Sequence, residues 1–397
     1  MESILNVLKI GYGPSSSHSM GPGKAAKIFL DRTRDADHYI VELYGSLALT
    51  GKGHLTDETI YQVLGRSRTT IKFRLDIQYE YHPNGMKFYA YTKDNELIED
   101  WLVFSIGGGE IRELDDDRTK SEVEVYKEKD FGEIIKTIED KGIDIIEYIK
   151  LNEGEDIFQK LTCRLEVMKS TIEKGISTEG LLPGSLKLNR KAKEMYQKYL
   201  ESHDKDTLTF ALALAVAEEN ASGGVIVTTP TCGASGVVPA VLFTEYYYNN
   251  RSFEELAKAL AVAGLICNVC KTNGSISGAE VGCQGEVGVA CSAAAAALAY
   301  LNNGNIYHIE YAAEIALEHH LGMTCDPIEG LVQIPCIERN AMAARFAISA
   351  SDYSLLSPTK HYVSFDSVIQ AMMATGKDLN VKYRESSTGG LAIKARK

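Results

Sequence analysis

The feature that most constrains the fold is an apolar run, VGVACSAAAAALAYL, which extends from Val287 to Leu301. At fifteen residues it is shorter than the roughly 20 apolar residues that a helix needs to cross a bilayer. Alanine is the strongest helix former, and a helix that is apolar on every side must be buried. The run therefore predicts a helix at the centre of a compact helical domain.

Further segments with helical periodicity follow residue 150, and together they predict an all-helical domain over residues 151–397. They are separated by loops rich in Gly, Ser and Thr, which are costly inside a core unless a ligand or another backbone approaches them closely. The predicted helices cover residues 156–175, 207–221, 252–269, 309–322, 338–356 and 364–379.

The first part of the chain has a different pattern. β-Branched and aromatic residues predict strands within 38–45, 69–82 and 86–106, and PNG between the last two predicts a hairpin. Helical patterns occupy 21–33 and 57–65. We therefore predict an α+β domain over residues 1–115 and a solvated connector over residues 116–150, where an acidic run lies.

Charge and the N-terminus narrow the functional class. The net charge of −12 argues against a nucleic-acid partner, which normally requires a basic surface. The N-terminal segment has neither the basic start nor the cleavage site of a secretory signal. These features predict a cytoplasmic protein that binds neither nucleic acid nor membrane.

Eight cysteines in a reducing compartment indicate core thiols, metal ligands or catalytic groups rather than disulfides. Cys163 and Cys291, and the CNVC pair Cys267 and Cys270, lie in helical patterns and are interpreted as core residues, with metal or redox use as the alternative for the pair. The other four lie in loops beside Gly or Pro, where a soft-metal site and isolated thiols are both possible from the residues alone: Cys232, Cys283, Cys325 and Cys336.

Six segments, in the same order along nearly the whole chain, closely resemble the iron–sulfur-dependent L-serine dehydratases. Six long segments in register make the resemblance highly specific. They are GPSSSHSMGP (13–22), GSLALTGKGHLTD (45–57), FSIGGGEI (104–111), TTPTCGASGVVPAVL (228–242), KTNGSISGAEVGCQGEVGVAC (271–291) and HHLGMTCDPIEGLVQIPCIERNAMAA (319–344).

The resemblance implies a homodimeric lyase that converts L-serine to pyruvate and ammonia. It implies a 4Fe–4S cluster held by Cys283, Cys325 and Cys336, in which one iron has no protein thiolate. A metal with an open position can act as a Lewis acid on a leaving hydroxyl group. The resemblance also makes His18 and His54 the catalytic histidines, supplied by the N-terminal domain at the domain interface.

Substrate-binding residues are predicted less directly, and each has a structural alternative. One interpretation is that the hydroxyls of Ser15, Ser16 and Ser17 bind the substrate carboxylate. The alternative is that this segment, which includes His18, forms the N-cap of the following helix. The segment KTNGSIS, with Lys271, Thr272 and Asn273, suits a carboxylate or a cluster sulfide, or forms local turn hydrogen bonds. Arg339 suits the substrate carboxylate, or caps the helix that follows it.

Alternative functions are a related lyase acting on threonine or cysteine, and a cluster protein that binds serine without turnover. A structural zinc site would use the three loop cysteines with His319 or His320. Pyridoxal phosphate, the other cofactor that deaminates serine, would leave these cysteines unexplained.

No cysteine follows Cys336, so the tail cannot supply a fourth thiolate, although residues 389–397 could still cover the site.

Overall fold

The computed structural model describes residues 1–114 and 124–395 of the chain. Its N-terminal part combines a sheet with three short helices, α1 (Gly21–Arg32), α2 (Gly45–Thr50) and α3 (Thr56–Leu64). The strands are β1 (Ile10–Tyr12), β2 (His38–Tyr44), β3 (Thr69–Arg74), β4 (Gly85–Tyr91), β5 (Leu97–Gly107), β6 (Glu110–Glu113) and β7 (Val225–Val227).

Five strands form one mixed sheet in the order β3-β2-β4-β5-β6. Strands β2 and β3 are parallel, and the remaining pairs are antiparallel. Alternate residues of β4 are buried, as expected for a sheet with one face on the core, and Phe88 packs there against Phe29 of α1 and Trp101 of β5. Helices α1 and α3 therefore pack with this sheet around a small separate core.

The hairpin predicted at PNG is wrong. Strand β2 lies between β3 and β4, because the chain crosses over through α2 and α3 and adds β3 parallel to β2. The segment that ends in PNG is thus a long link rather than a tight turn. The real hairpins of this sheet join β4 to β5 and β5 to β6.

The second part of the chain is mostly helical, and every helix predicted for it is present. Helix α12 (Val289–Leu301) is buried along almost its whole length and packs against its neighbours from several sides. The helices are α4 (Phe131–Lys141), α5 (Ile145–Glu153), α6 (Ile157–Ser177), α7 (Ala192–Ser202), α8 (Lys205–Ala221), α9 (Val237–Asn249), α10 (Phe253–Asn273), α11 (Gly278–Val281), α12 (Val289–Leu301), α13 (Ile306–Glu318), α14 (Cys336–Leu356), α15 (Phe365–Asp378) and α16 (Leu391–Lys394).

The predicted fold class, an α+β region followed by a mostly helical one, is confirmed. Two details differ from the prediction. The helical part contains strand β7, which pairs antiparallel with β1. Residues 131–150, placed by prediction in a solvated connector, form α4 and most of α5, whose apolar residues join the helical core. The predicted connector also includes residues 116–123, which lie outside the described residues.

The two parts pack directly against each other near the three consecutive glycines of SIGGGEI. These glycines form the turn between β5 and β6, and each has a positive φ that favours glycine. A Cβ on Gly108 would lie 3.3 Å from the side chain of Ile276 in the helical part. The prediction of a domain-packing loop fits this arrangement.

Candidate active site

Three of the eight cysteines meet in one buried cavity. Cys283 precedes a π-helical turn (Gln284–Gly288), Cys325 lies in the loop between α13 and α14, and Cys336 is the first residue of α14. All three line the same cavity. The Sγ atoms of Cys283 and Cys325 and a carboxylate oxygen of Glu286 lie within 4.8 Å of one another. The fold thus brings together in one cavity the three thiols that the family resemblance implies as ligands.

Local structure fixes these thiols in place. The backbone N–H of Cys325 donates to the carbonyl oxygen of Tyr383 at 2.7 Å, and the N–H of Glu385 donates to the carbonyl oxygen of Cys325 at 2.8 Å. Cys336 occupies the first turn of α14, where unpaired backbone N–H groups favour a thiolate. The C-terminal segment therefore holds one ligand loop, and a helix N-terminus holds another thiol.

The electrostatics of the cavity suit a positively charged metal centre. A hydrogen bond with Cys283, together with burial, raises the pKa of the Cys325 thiol well above its ordinary value. Burial and the neighbouring Cys283 do the same to the pKa of Cys336. Burial also raises the pKa of Glu286 to about 7. The two thiols therefore keep their protons near neutral pH unless a metal ion binds them.

Arg339 lies one turn into α14, beside the three thiols. Burial opposes its charge, but the sulfur atoms of Cys283, Cys336 and Cys325 outweigh burial and raise the pKa of its guanidinium. One of its nitrogens donates to the carbonyl oxygen of Thr324 at 2.6 Å. Its other terminal nitrogen forms an ion pair with Asp326 at 3.6 Å. Arg339 is therefore a fixed cation beside the thiols, and it is not one of the residues that line the cavity.

The donor set fits an iron–sulfur cluster. Three soft thiols, largely or fully removed from solvent, line one cavity. Arg339 beside them would balance part of the negative charge that thiolates and sulfides bring. Neither His319 nor His320 belongs to a potential metal-binding group among the described residues. His320 instead lies with its Nδ1 2.6 Å from the carbonyl oxygen of Ala316. A zinc site using either histidine is therefore disfavoured.

The remaining cysteines lie elsewhere. Cys267, Cys270 and Cys291 are fully buried in α10 and α12, as predicted. Cys232 is also buried, with its Sγ 3.4 Å from the sulfur of Met20. Cys163 was predicted to be a core residue but is exposed, because α6 buries the face that carries Leu161, Leu165, Met168 and Ile172.

His54 lines the same cavity as the three cysteines. It follows α2 in a turn that comes very close to the loop at Gly330, where a Cβ on Gly53 would lie 2.4 Å from the carbonyl oxygen of Gly330. The Nδ1 of His54 lies 3.0 Å from the carbonyl oxygen of Thr50 and must therefore carry the proton. Burial lowers the pKa of His54 to about 4, so the ring is neutral with its lone pair on Nε2.

His18 stands beside His54, with ring centroids 4.5 Å apart. Its Nε2 lies 3.1 Å from the hydroxyl of Ser46, and that hydroxyl donates to the carbonyl oxygen of Glu385 at 2.7 Å. Ser46 must therefore accept a proton from Nε2, which leaves the lone pair of His18 on Nδ1. Burial and the adjacent His54 keep the pKa of His18 well below its ordinary value.

Glu385 was not predicted from the sequence, although it completes the histidine pair. Its Oε1 lies 3.4 Å from Nδ1 of His18 and 3.5 Å from Nε2 of His54. The residue is 3% exposed and also lines the cavity with the cysteines. Its only sequence signal is its position in RESSTGG, just before residues 389–397, which the sequence suggests as a possible cover.

Ser15, Ser16 and Ser17 are all buried beside the histidines. The Oγ of Ser15 accepts a hydrogen bond from the N–H of His18, so this serine caps the π-helical turn Ser16–Met20. The Oγ of Ser17 lies 2.9 Å from Nδ1 of His18. Of the three, Ser15 lines the cavity that the cysteines share.

Lys271, Thr272 and Asn273 are not brought to the cavity. The ammonium group of Lys271 lies 2.9 Å from the Glu2 carboxylate, and the side chain of Asn273 donates to a backbone carbonyl oxygen. The hydroxyl of Thr272 donates within α10. Thr272 shows the local hydrogen bonding that was the alternative, whereas Lys271 and Asn273 connect the end of α10 to distant parts of the chain, at Glu2 and Lys129. None of the three residues lines the cavity.

No helix in the described part of the chain has the length and apolar character needed to span a bilayer.

Comparison with known proteins gives a consistent result over the whole chain. The family profile described as serine dehydratase beta chain matches residues 3–70, and the one described as serine dehydratase alpha chain matches residues 84–392. The chain is 40% identical to L-serine dehydratase 2 of Escherichia coli strain K12, with 99% of each chain covered. It is 39% identical to the L-serine dehydratase of Haemophilus influenzae, again over 99% of each, and 37% identical to that of Streptomyces coelicolor, over 98% of each.

Proposed function

This chain belongs to the L-serine dehydratase family, and we propose that its buried cavity carries out the elimination on L-serine with a 4Fe–4S cluster bound to Cys283, Cys325 and Cys336. The lyase activity on L-serine follows from the family. The cluster, its ligands and the roles of individual residues are the proposal.

One observation carries the proposal: three cysteines from the helical part and one histidine from the N-terminal part line a single cavity. When bound, a cluster with three cysteine ligands would supply an iron with an open position as the Lewis acid for the leaving hydroxyl group. Three thiols are too few to saturate four irons, and no described residue offers a fourth thiol there.

His54 is the better candidate for the base that removes the Cα proton. It lines the cavity with the cysteines, and the hydrogen bond from its Nδ1 leaves the Nε2 lone pair free. His18 does not line the cavity and is tied by hydrogen bonds on both ring nitrogens. Arg339, beside the thiols, is suited to hold the substrate carboxylate.

The test is an anaerobic assay of purified protein with L-serine and L-threonine in parallel. We expect a brown protein with about four irons per chain that forms pyruvate from L-serine. In the same preparation series, Cys325→Ala should lose iron and activity together. Cys270→Ala, a matched change at a buried thiol of α10, should keep both.

A colourless protein that stays inactive after anaerobic reconstitution with iron and sulfide would refute the cluster. Equal loss of iron in both cysteine variants would refute the choice of ligands. Faster turnover of L-threonine than of L-serine would change the substrate and leave the cluster assignment standing.

A further inference from the structure

Two hydrogen-bond acceptors face each other at Glu385. The hydrogen bond from Nδ1 of His54 leaves its lone pair on Nε2, which lies 3.5 Å from Oε1 of Glu385. Nδ1 of His18 lies 3.4 Å from the same oxygen, but the hydroxyl of Ser17 already serves its lone pair at 2.9 Å. Acceptors do not stabilise one another without a donor between them. The arrangement therefore calls for a group that carries several N–H or O–H donors.

The second oxygen of Glu385 is also without a partner. Its Oε2 is buried and makes no hydrogen bond. Within the described ranges, no lysine or arginine forms an ion pair with Glu385, and both histidines beside it are neutral. A buried carboxylate is costly unless a cation or several donors compensate it. This cavity lacks such a cation on the side of Glu385.

Two hydrogen bonds of the Glu385 backbone, and one from the side chain of nearby Ser387, hold this segment in position. The N–H of Glu385 donates to Cys325, its carbonyl oxygen accepts from Ser46, and the hydroxyl of Ser387 donates to the carbonyl oxygen of Pro327 at 2.7 Å. Glu385 itself has a φ of 51°, in the left-handed region that a glutamate rarely adopts. Residues in such sparsely populated conformations cluster at active sites and ligand clamps.

From this geometry we propose that Glu385 binds the α-ammonium group of L-serine. The role rests on the proposed function, because it takes L-serine as the ligand of this cavity. An ammonium group brings one positive charge and three N–H donors, which match the carboxylate and the acceptor beside it. The Cα hydrogen lies on the neighbouring atom, so a substrate held in this way presents it to Nε2 of His54.

The other buried carboxylate of the cavity is less suited to this role. The Oε2 of Glu286 lies 3.9 Å from Sγ of Cys283 and 4.0 Å from Sγ of Cys325, on the side of the predicted metal ligands. Glu385 therefore contacts the ammonium end of the substrate, while Arg339 and the thiols lie toward its carboxylate and hydroxyl groups. Glu385 makes the cavity selective for 2-amino acids over acids that lack the amino group.

The test compares two ligands that differ only in the amino group, in anaerobic holoenzyme. They are L-serine and 3-hydroxypropanoate, used as a competitive inhibitor. In Glu385→Gln we expect KM for L-serine to rise by about tenfold or more, while Ki for 3-hydroxypropanoate changes by less than about threefold. Glu385→Asp, which keeps the charge, should recover part of the affinity for L-serine.

Iron content and far-UV circular dichroism are measured for each variant, and Kd by calorimetry replaces KM where turnover is too slow. Glu314→Gln, the same change at a buried glutamate of α13, serves as the control and should leave both affinities unchanged. Equal weakening of both ligands, no weakening of either, or loss of iron in both Glu385 variants would overturn the proposal. Absence of pyruvate formation by the wild-type protein would instead refute the proposed function.

Discussion

The ionisable residues of the cavity are arranged so that most of them are uncharged until a ligand arrives. His18 and His54 are almost fully buried, and burial lowers both pKa values well below that of a free histidine. The hydrogen bond from His54 to Thr50 fixes its tautomer and orientation, as such second contacts do for catalytic histidines. A neutral ring with its lone pair toward the cavity is the state that a general base requires.

Replacing His54 by glutamine should abolish turnover and spare the cluster. Glutamine retains a donor and an acceptor but cannot take the Cα proton, so kcat should fall by about a hundredfold to ten-thousandfold. Iron content should match the wild-type protein, because His54 is not one of the thiol ligands. Steady-state kinetics and iron analysis under anaerobic conditions provide the measurement.

His38→Gln is the matched control, since His38 lies on β2 and stacks on Tyr91 away from the cavity. It should change kcat by less than about twofold. If His54→Gln keeps more than a tenth of the wild-type kcat, His54 is not the base and His18 takes its place as the candidate.

At the scale of elements, sequence patterns predicted the helices, which depend on residues close together in the chain, and missed contacts between distant segments. The alanine run formed α12 because alanine favours helix and its apolar surface had to be buried. The pairing of β3 with β2 was missed, since it depends on a crossover through two helices and not on the PNG turn. Glu385 was missed for a similar reason: its place beside His18 results from the tail returning to Cys325, a contact that no local pattern reveals.

Helix α13 carries an acidic pair whose ionisation should oppose folding at alkaline pH. Burial, then the charge and hydrogen bond of Glu318 one turn later, raise the pKa of Glu314 to about 8. In the unfolded chain this carboxyl group has the ordinary glutamate pKa of about 4.3. Between these two pKa values the folded state holds one more proton than the unfolded chain. The free energy of unfolding therefore decreases as the pH rises from about 4.5 to 8.

Glu314→Gln should remove this pH dependence. Relative to the wild-type protein, the variant should gain about 1 kcal/mol of unfolding free energy between pH 5 and pH 8, a small value because Glu318 is partly exposed to solvent. Thermal unfolding followed by circular dichroism at the two pH values gives the difference. Glu318→Gln should shift stability in the same direction, and an identical effect of Glu314→Gln at both pH values would contradict the predicted cause.

At the scale of the molecule, neither part of the chain can build the cavity alone. Ser15 and His54 come from the N-terminal part, and the three cysteines and Glu385 come from the helical part. Strand β1 pairs with β7, and Lys9 forms an ion pair with Glu110, so the first residues connect both parts. A site at such an interface requires that the two parts keep a fixed relative position, which points to a single cooperative unit.

Leu8 tests whether the two parts unfold together. It belongs to the N-terminal segment but is fully buried in the helical core, against Gly264 of α10. Leu8→Ala should lower the unfolding free energy by about 2–4 kcal/mol through the cavity it leaves.

Fluorescence of Trp101, the one tryptophan, reports on the sheet, and circular dichroism reports mainly on the helices. Both transitions should shift by the same amount, whereas Leu75→Ala, at an exposed leucine, should shift neither. A shift confined to the helical signal would mean that the sheet unfolds independently.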